Sequence, residues 1–140
     1  MERHACIADV RLEDEKWTLK EMVSHLIDSA SNNHQRFIRL QLETALEFPA
    51  YDAEEWKNTS KISSYSYTSL ISLWKEYNAF LLHILTVMDE KKLDNTWIVN
   101  GQKLTLRFIA EDYFGRHMEW HIALFDERVR EINSGCGTDA

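Results

Sequence analysis

Glycine and proline are scarce: 140 residues contain only four glycines and one proline. That leaves little material for tight turns and points away from strand-and-turn architectures. Cysteine is as sparse. Cys6 and Cys136 stand near opposite ends of the chain without CxxC spacing, which excludes a disulfide framework and a thiolate zinc site and leaves two reduced thiols. Long apolar runs are missing too. No stretch approaches the roughly 20 residues needed to cross a bilayer, and no apolar leader core opens the chain, so a cytoplasmic protein without a membrane partner is expected. Positive charge is also short: 16 Lys and Arg against 23 Asp and Glu give a net charge of −7. A field of that sign repels polyphosphates, and nucleic acid is not an expected partner.

What the chain has is helix-forming sequence. Leu, Glu, Lys, Arg and Ala fill long stretches, and 44% hydrophobic residues suffice for one core, so residues 1–140 read as a single domain. Residues 1–16 show only a loose spacing at Ile7, Val10 and Leu12, enough for a short helix or an arm. Thr18 and Glu21 have the spacing of a capping box. Behind them Leu19, Met22, Val23, Leu26, Ala30, Phe37 and Leu40 form one stripe, which predicts a helix to about Phe48, stopped by Pro49. The segment from Pro49 to Ser64 reads as an ordered loop. A second stripe, Leu70, Leu73, Trp74, Tyr77, Leu81, Ile84, Leu85 and Met88, predicts a helix over residues 68–88. Trp97 to Val99, then Asn100-Gly101 and Leu104, predict a short hairpin, because both turn residues tolerate positive φ. A last helix is expected from near Thr105 to Asn133.

On that last helix His117 and His121 are separated by four residues, about 40° around the axis, and both fall within the apolar stripe. Two core imidazoles need partners for their ring nitrogens, either carbonyls and carboxylates or one shared metal ion. The pair alone leaves both options open. It is not the zincin pattern, since Met118 follows the first histidine where HExxH requires glutamate. His25, at the margin of the first helix's stripe, is the best third ligand, with His34 as its rival. Ser29, Asn32 and Arg36 follow His25 at helical spacing and form a polar seam that could touch substrate or remain a solvated edge. Tyr113, one turn before His117, is either a hydrogen-bond donor at the site or a core tyrosine. His4 and His83 lie outside the pattern.

Trp17-Thr18-Leu19-Lys20-Glu21 leading to His25-Leu26-Ile27-Asp28, then Tyr51-Asp52 and Trp56, then Leu104-Thr105-Leu106 leading to His117 and His121, resembles the DinB/YfiT-like superfamily. The resemblance runs from about Trp17 to Ile132. It implies an all-α, antiparallel four-helix bundle, often a homodimer, with a divalent transition metal, zinc or nickel, held by His25, His117 and His121. Members with known activities include metal-dependent thiol S-transferases that use small thiols. The resemblance also implies a full helix before Trp17, where this chain has sixteen residues. The first bundle helix is therefore expected to be shortened or degenerate, with a partner subunit as the alternative cover for that side. Three imidazoles leave a coordination position open, so metal-assisted transfer or hydrolysis is expected. A non-catalytic metal- or ligand-binding bundle and a metal-free interaction module are the alternatives.

Overall fold

The computed structural model describes residues 1–135, so Cys136 lies outside the described residues. Thr18 opens the first long helix, α1 (Leu19–Leu42). Its hydroxyl accepts from the Glu21 amide at 3.2 Å, and the Glu21 carboxylate accepts from the Thr18 amide at 2.8 Å, the reciprocal capping that their spacing predicts. Thr18 is buried, so no water replaces the lost acceptor. Thr18→Ala is accordingly expected to cost about 1 kcal/mol, read in urea denaturation as a lower midpoint at unchanged m-value.

α1 stops at Leu42, short of the expected Phe48, and the residues before Pro49 form strand β1 (Ala45–Glu47) instead. The cause is long-range. β1 pairs in parallel with β2 (Thr96–Val99), Asn95 Nδ2 donates to the Leu40 carbonyl at 2.6 Å, and Phe48 stacks on Trp97 at 5.3 Å. Local helix propensity yields to a sheet edge that the far hairpin provides. That hairpin follows its sequence signal: β2 pairs antiparallel with β3 (Gln102–Thr105), and Asn100 and Gly101 both take positive φ, 49° and 74°.

The Pro49–Ser64 loop contains a short helix, α2 (Ala53–Ser60), capped by Asp52, which accepts from the Glu55 amide at 2.8 Å. Asp52 followed by Glu54 and Glu55 is a helix-start signal too short to show periodicity. Helix α3 (Tyr67–Val87) matches its expected span, although Leu73 points outward and is 46% exposed. The final helical segment is broken into α4 (Leu106–Asp112), a π turn over Tyr113–His117, and α5 (Met118–Gly135). Gly115, at φ −92° and ψ −108°, carries the irregularity; one wide turn of this kind often marks a functional position.

At the other end, Glu2–Ile7 forms a 3-10 turn in place of a full helix. Ala8 is buried with Leu19, Val23, Tyr67, Phe125 and Ile132, and Ile7, Val10 and Leu12 pack on the same cluster, so the opening segment covers part of that side. A second apolar cluster, built on Phe37, Leu40, Leu81, Trp97, Leu106 and Tyr113, fills the sheet end. On α1 the stretch between Val23 and Ala30, and on the last helices that between Tyr113 and Phe125, separate the two clusters. His25, His117 and His121 occupy those two gaps.

Candidate metal centre

The three histidines that the sequence singles out converge. His25 comes from the second turn of α1, His117 from the end of the π turn and His121 from the start of α5. Their Nε2 atoms face one another, with His25 to His121 at 3.3 Å and His121 to His117 at 3.1 Å. The ligand atoms of all three lie within 4.8 Å of one another. Ligands held about 2.0–2.1 Å from a tetrahedral ion sit about 3.3–3.4 Å apart, so these spacings suit a common ion without a change of rotamer.

Hydrogen bonding alone serves this triangle poorly. A neutral imidazole nitrogen either donates or accepts once. His121 Nε2, placed between two like atoms, therefore satisfies one neighbour at the expense of the other, whereas a cation at the centre accepts a lone pair from each. Nδ1 of His25 is buried without a partner. It carries the ring proton when Nε2 is a ligand.

The electrostatics favour neutral rings. Burial, reinforced by the neighbouring imidazoles, lowers His25 to about 4 and His121 to about 3, and burial lowers His117 as well. Metal ligation needs neutral imidazole, so protons are slow to compete at neutral pH. The same shifts set a pH dependence for the metal-free protein. Between pH 6.5 and about 4 an unfolded chain protonates His25 and His121 while the folded chain does not, and His117 is shifted in the same direction, so stability falls as pH falls through that window. Asp28 acts in the opposite sense, because burial raises its carboxyl to about 6 and the folded state takes up that proton first. Three histidines outweigh one carboxyl. The melting temperature of metal-free protein is expected to drop from pH 7 to pH 4.5, and His121→Gln is expected to flatten that slope.

The triad opens on a cavity of about 600 Å³, with Trp17, Met22, Trp120 and Leu124 as its apolar wall and Glu127, Arg128 and Glu131 as its polar part. Trp17 is fixed at both ends: its indole donates to Glu54 on α2 at 3.0 Å, and its carbonyl accepts from Arg128 on α5. Its ring meets His25 edge-on at 5.5 Å, and Trp120 packs against His121 at 4.7 Å. A smaller cavity of about 170 Å³ lies along α1, where Ser29, Asn33, Arg36 and Tyr51 face Asp112 and His117. His117 belongs to the walls of both.

The remaining candidates fall elsewhere. His34, the rival third ligand, bonds the Tyr77 hydroxyl at 2.9 Å; His83 is exposed, and His4 lies near Phe125. The Tyr113 hydroxyl donates to Asn78 at 2.6 Å, so Tyr113 is a core residue whose ring runs alongside His117. Asn32, expected on the polar seam, instead donates to the Asp28 carbonyl at 2.9 Å, and Asn33 lines the seam in its place. Ser29 and Arg36 do line that seam. Trp120 and Arg128 share by spacing the side of the last helix that carries His117 and His121, but their role at the site was not legible in the sequence because it depends on where α2 and Trp17 pack.

Fold and site together define a class, the helical bundle with a three-histidine cluster at the seam between its two apolar halves. Proteins from Bacillus cereus strains B4264 and G9842, provisionally named metal-dependent hydrolases, are 29% identical to the chain over 116 residues, which is 81% of this chain and 66% of theirs. The chain thus spans slightly less than two thirds of the length of those relatives. The solved structure of YfiT from Bacillus subtilis, described as a metal-dependent hydrolase of unusual four-helix bundle topology and provisional in that assignment, superposes with a TM-score of 0.61 at 20% identity, over 89% of this chain and 73% of YfiT. No family model matches the chain. The chain shares the fold of YfiT, mostly helical, and carries a small three-stranded sheet. Among the described residues no helix is long and apolar enough to cross a membrane.

Proposed function

We propose that this protein is a metal-dependent hydrolase whose divalent transition-metal ion, zinc or nickel, is held by Nε2 of His25, His117 and His121. The observation that carries the reading is the 3.1 and 3.3 Å spacing of three neutral Nε2 atoms that border a cavity of about 600 Å³. An all-nitrogen donor set of this kind suits zinc and nickel. When bound, such an ion supplies Lewis acidity, lowering the pKa of a water or a small thiol and polarising a substrate carbonyl.

The chain's own residues do the rest. Burial keeps the imidazoles unprotonated. Trp17, Trp120 and Leu124 exclude bulk water from one side of the triad and present apolar surface to a substrate. Glu127 and Glu131 stand in the same cavity wall, with Arg128 bonding Glu131 at 2.8 Å, so Glu127 is the carboxylate left to accept a proton from an attacking nucleophile. That nucleophile is water in a hydrolase and a small thiol in an S-transferase; the names of the relatives favour water.

The reading is tested by hydrolysis of a panel of activated esters and amides by metal-stripped protein and by protein reloaded with zinc or nickel, with and without a small thiol. Product that depends on metal and not on thiol supports the hydrolase. Turnover that requires the thiol shifts the assignment to transfer, and zinc uptake without turnover of any substrate contradicts an enzyme.

A further inference from the structure

The 170 Å³ cavity beside His117 holds a cation without a counter-ion. Arg36 lines it together with Ser29, Asn33, Tyr51 and Asp112. One face of its guanidinium lies over the Trp97 ring at 4.0 Å, and Nη1 donates to Asn33 Oδ1 at 3.3 Å. Nε is buried and has no partner. Among the described residues no carboxylate pairs with Arg36: Asp112 is taken by Arg116 at 3.0 Å, and Asp28 lies two helical turns away. A half-buried guanidinium retains its charge and pays for lost hydration unless an anion replaces it. The cavity that Arg36 lines is where an anion from outside the chain can meet the guanidinium.

We propose that Arg36 is the anchor for a carboxylate on the substrate, so that the compound processed at the histidine centre is a small acid whose reacting bond lies one short arm from its carboxylate. This rests on the reading of the triad as the reaction centre. Three observations select a carboxylate over a phosphate. A single guanidinium faces the cavity, which matches one charge and not two. Asp112 stands in the same wall and disfavours a dianion. The volume, about 170 Å³, corresponds to roughly six water-sized groups, enough for a carboxylate and a short carbon chain. Tyr51 and Ser29 add hydroxyls to the same lining, and the shared His117 wall places the bound acid next to the triad.

The test is NMR of the Arg36 Nε–H resonance in full-length protein, zinc-free and zinc-loaded, titrated with sodium propionate and in parallel with inorganic phosphate. Propionate is expected to move the Arg36 signal saturably and to bind more tightly than phosphate. Arg36→Gln is expected to weaken propionate binding at least tenfold, as one charge-assisted pair is worth, while zinc uptake is unchanged. Arg36→Lys, which keeps the charge without the fork, is expected to recover part of the loss. An unmoved Arg36 resonance, propionate affinity unaltered in either variant, or preference for phosphate overturns the proposal. These failures are separable from failure of the reaction centre: zinc bound by the histidines with Arg36 silent sinks only the carboxylate anchor, whereas propionate seen by Arg36 in protein that takes up no zinc sinks the metal reading and leaves Arg36 a carboxylate-binding residue with no metal centre beside it.

Discussion

His121→Ala is expected to lower zinc affinity by more than about 100-fold and to reduce any metal-dependent turnover to background. Partners that merely orient a metal ligand are typically worth about 10- to 100-fold in affinity, and the ligand itself contributes more. His121 is the most sensitive choice because its Nε2 is the atom within 3.3 Å of both others, at 3.3 and 3.1 Å. Equilibrium dialysis against buffered zinc reads the change. The metal-free variant serves as its own control. Removing an imidazole between two others relieves a crowded polar cluster, so metal-free His121→Ala is expected to melt within a few degrees of metal-free wild type. A large loss of stability together with unchanged zinc affinity would mean that the triad is a structural polar cluster.

The second large effect concerns the scaffold. Phe37 is fully buried, and its ring meets Tyr113 edge-on at 5.9 Å, tying α1 to the turn that carries His117. Phe37→Ala is expected to cost about 3–5 kcal/mol through lost burial and a residual cavity, or roughly 10–17 °C in melting temperature for a chain of this size. Because Tyr113 loses its support, zinc affinity is expected to fall as well, though less than in His121→Ala. Calorimetry and dialysis on the same sample separate the two.

Periodicity made much of this architecture legible before any coordinates. The Thr18–Glu21 box, the stripe ending at Leu40, the Asn100-Gly101 turn and the four-residue step from His117 to His121 each rest on local geometry, and each appears where it was expected. What sequence missed is non-local. The departure of α1 into β1 at Ala45 depends on a strand fifty residues away, and α2 is too short for a repeat to show. The π turn at Tyr113–His117 leaves the apolar stripe almost unbroken, so only Gly115 hints at it.

The site was readable in part for the same reason. An i, i+4 histidine pair is visible along one helix, but the third ring comes from another helix, and choosing His25 over His34 rested on its place at the margin of the first helix's stripe beside a polar seam, with the resemblance in agreement. The structure puts His34 against Tyr77 and leaves His25 facing the pair. Asn32 and Asn33 lie three and four residues after Ser29, about 60° to one side and 40° to the other of its line along the helix, so spacing alone does not decide which joins the seam. Arg36 is the opposite case: its place on the seam followed from spacing, but its lack of a counter-ion is a property of everything packed around it.

The central claim is most directly tested by X-ray absorption on protein purified without a metal-affinity tag and loaded with one equivalent of zinc. The account predicts stoichiometric zinc with three imidazole nitrogens at about 2.0 Å and one further light-atom ligand, and loss of one imidazole in His25→Ala. Zinc that fails to bind, or a first shell of oxygen alone that His25→Ala leaves unchanged, would contradict it.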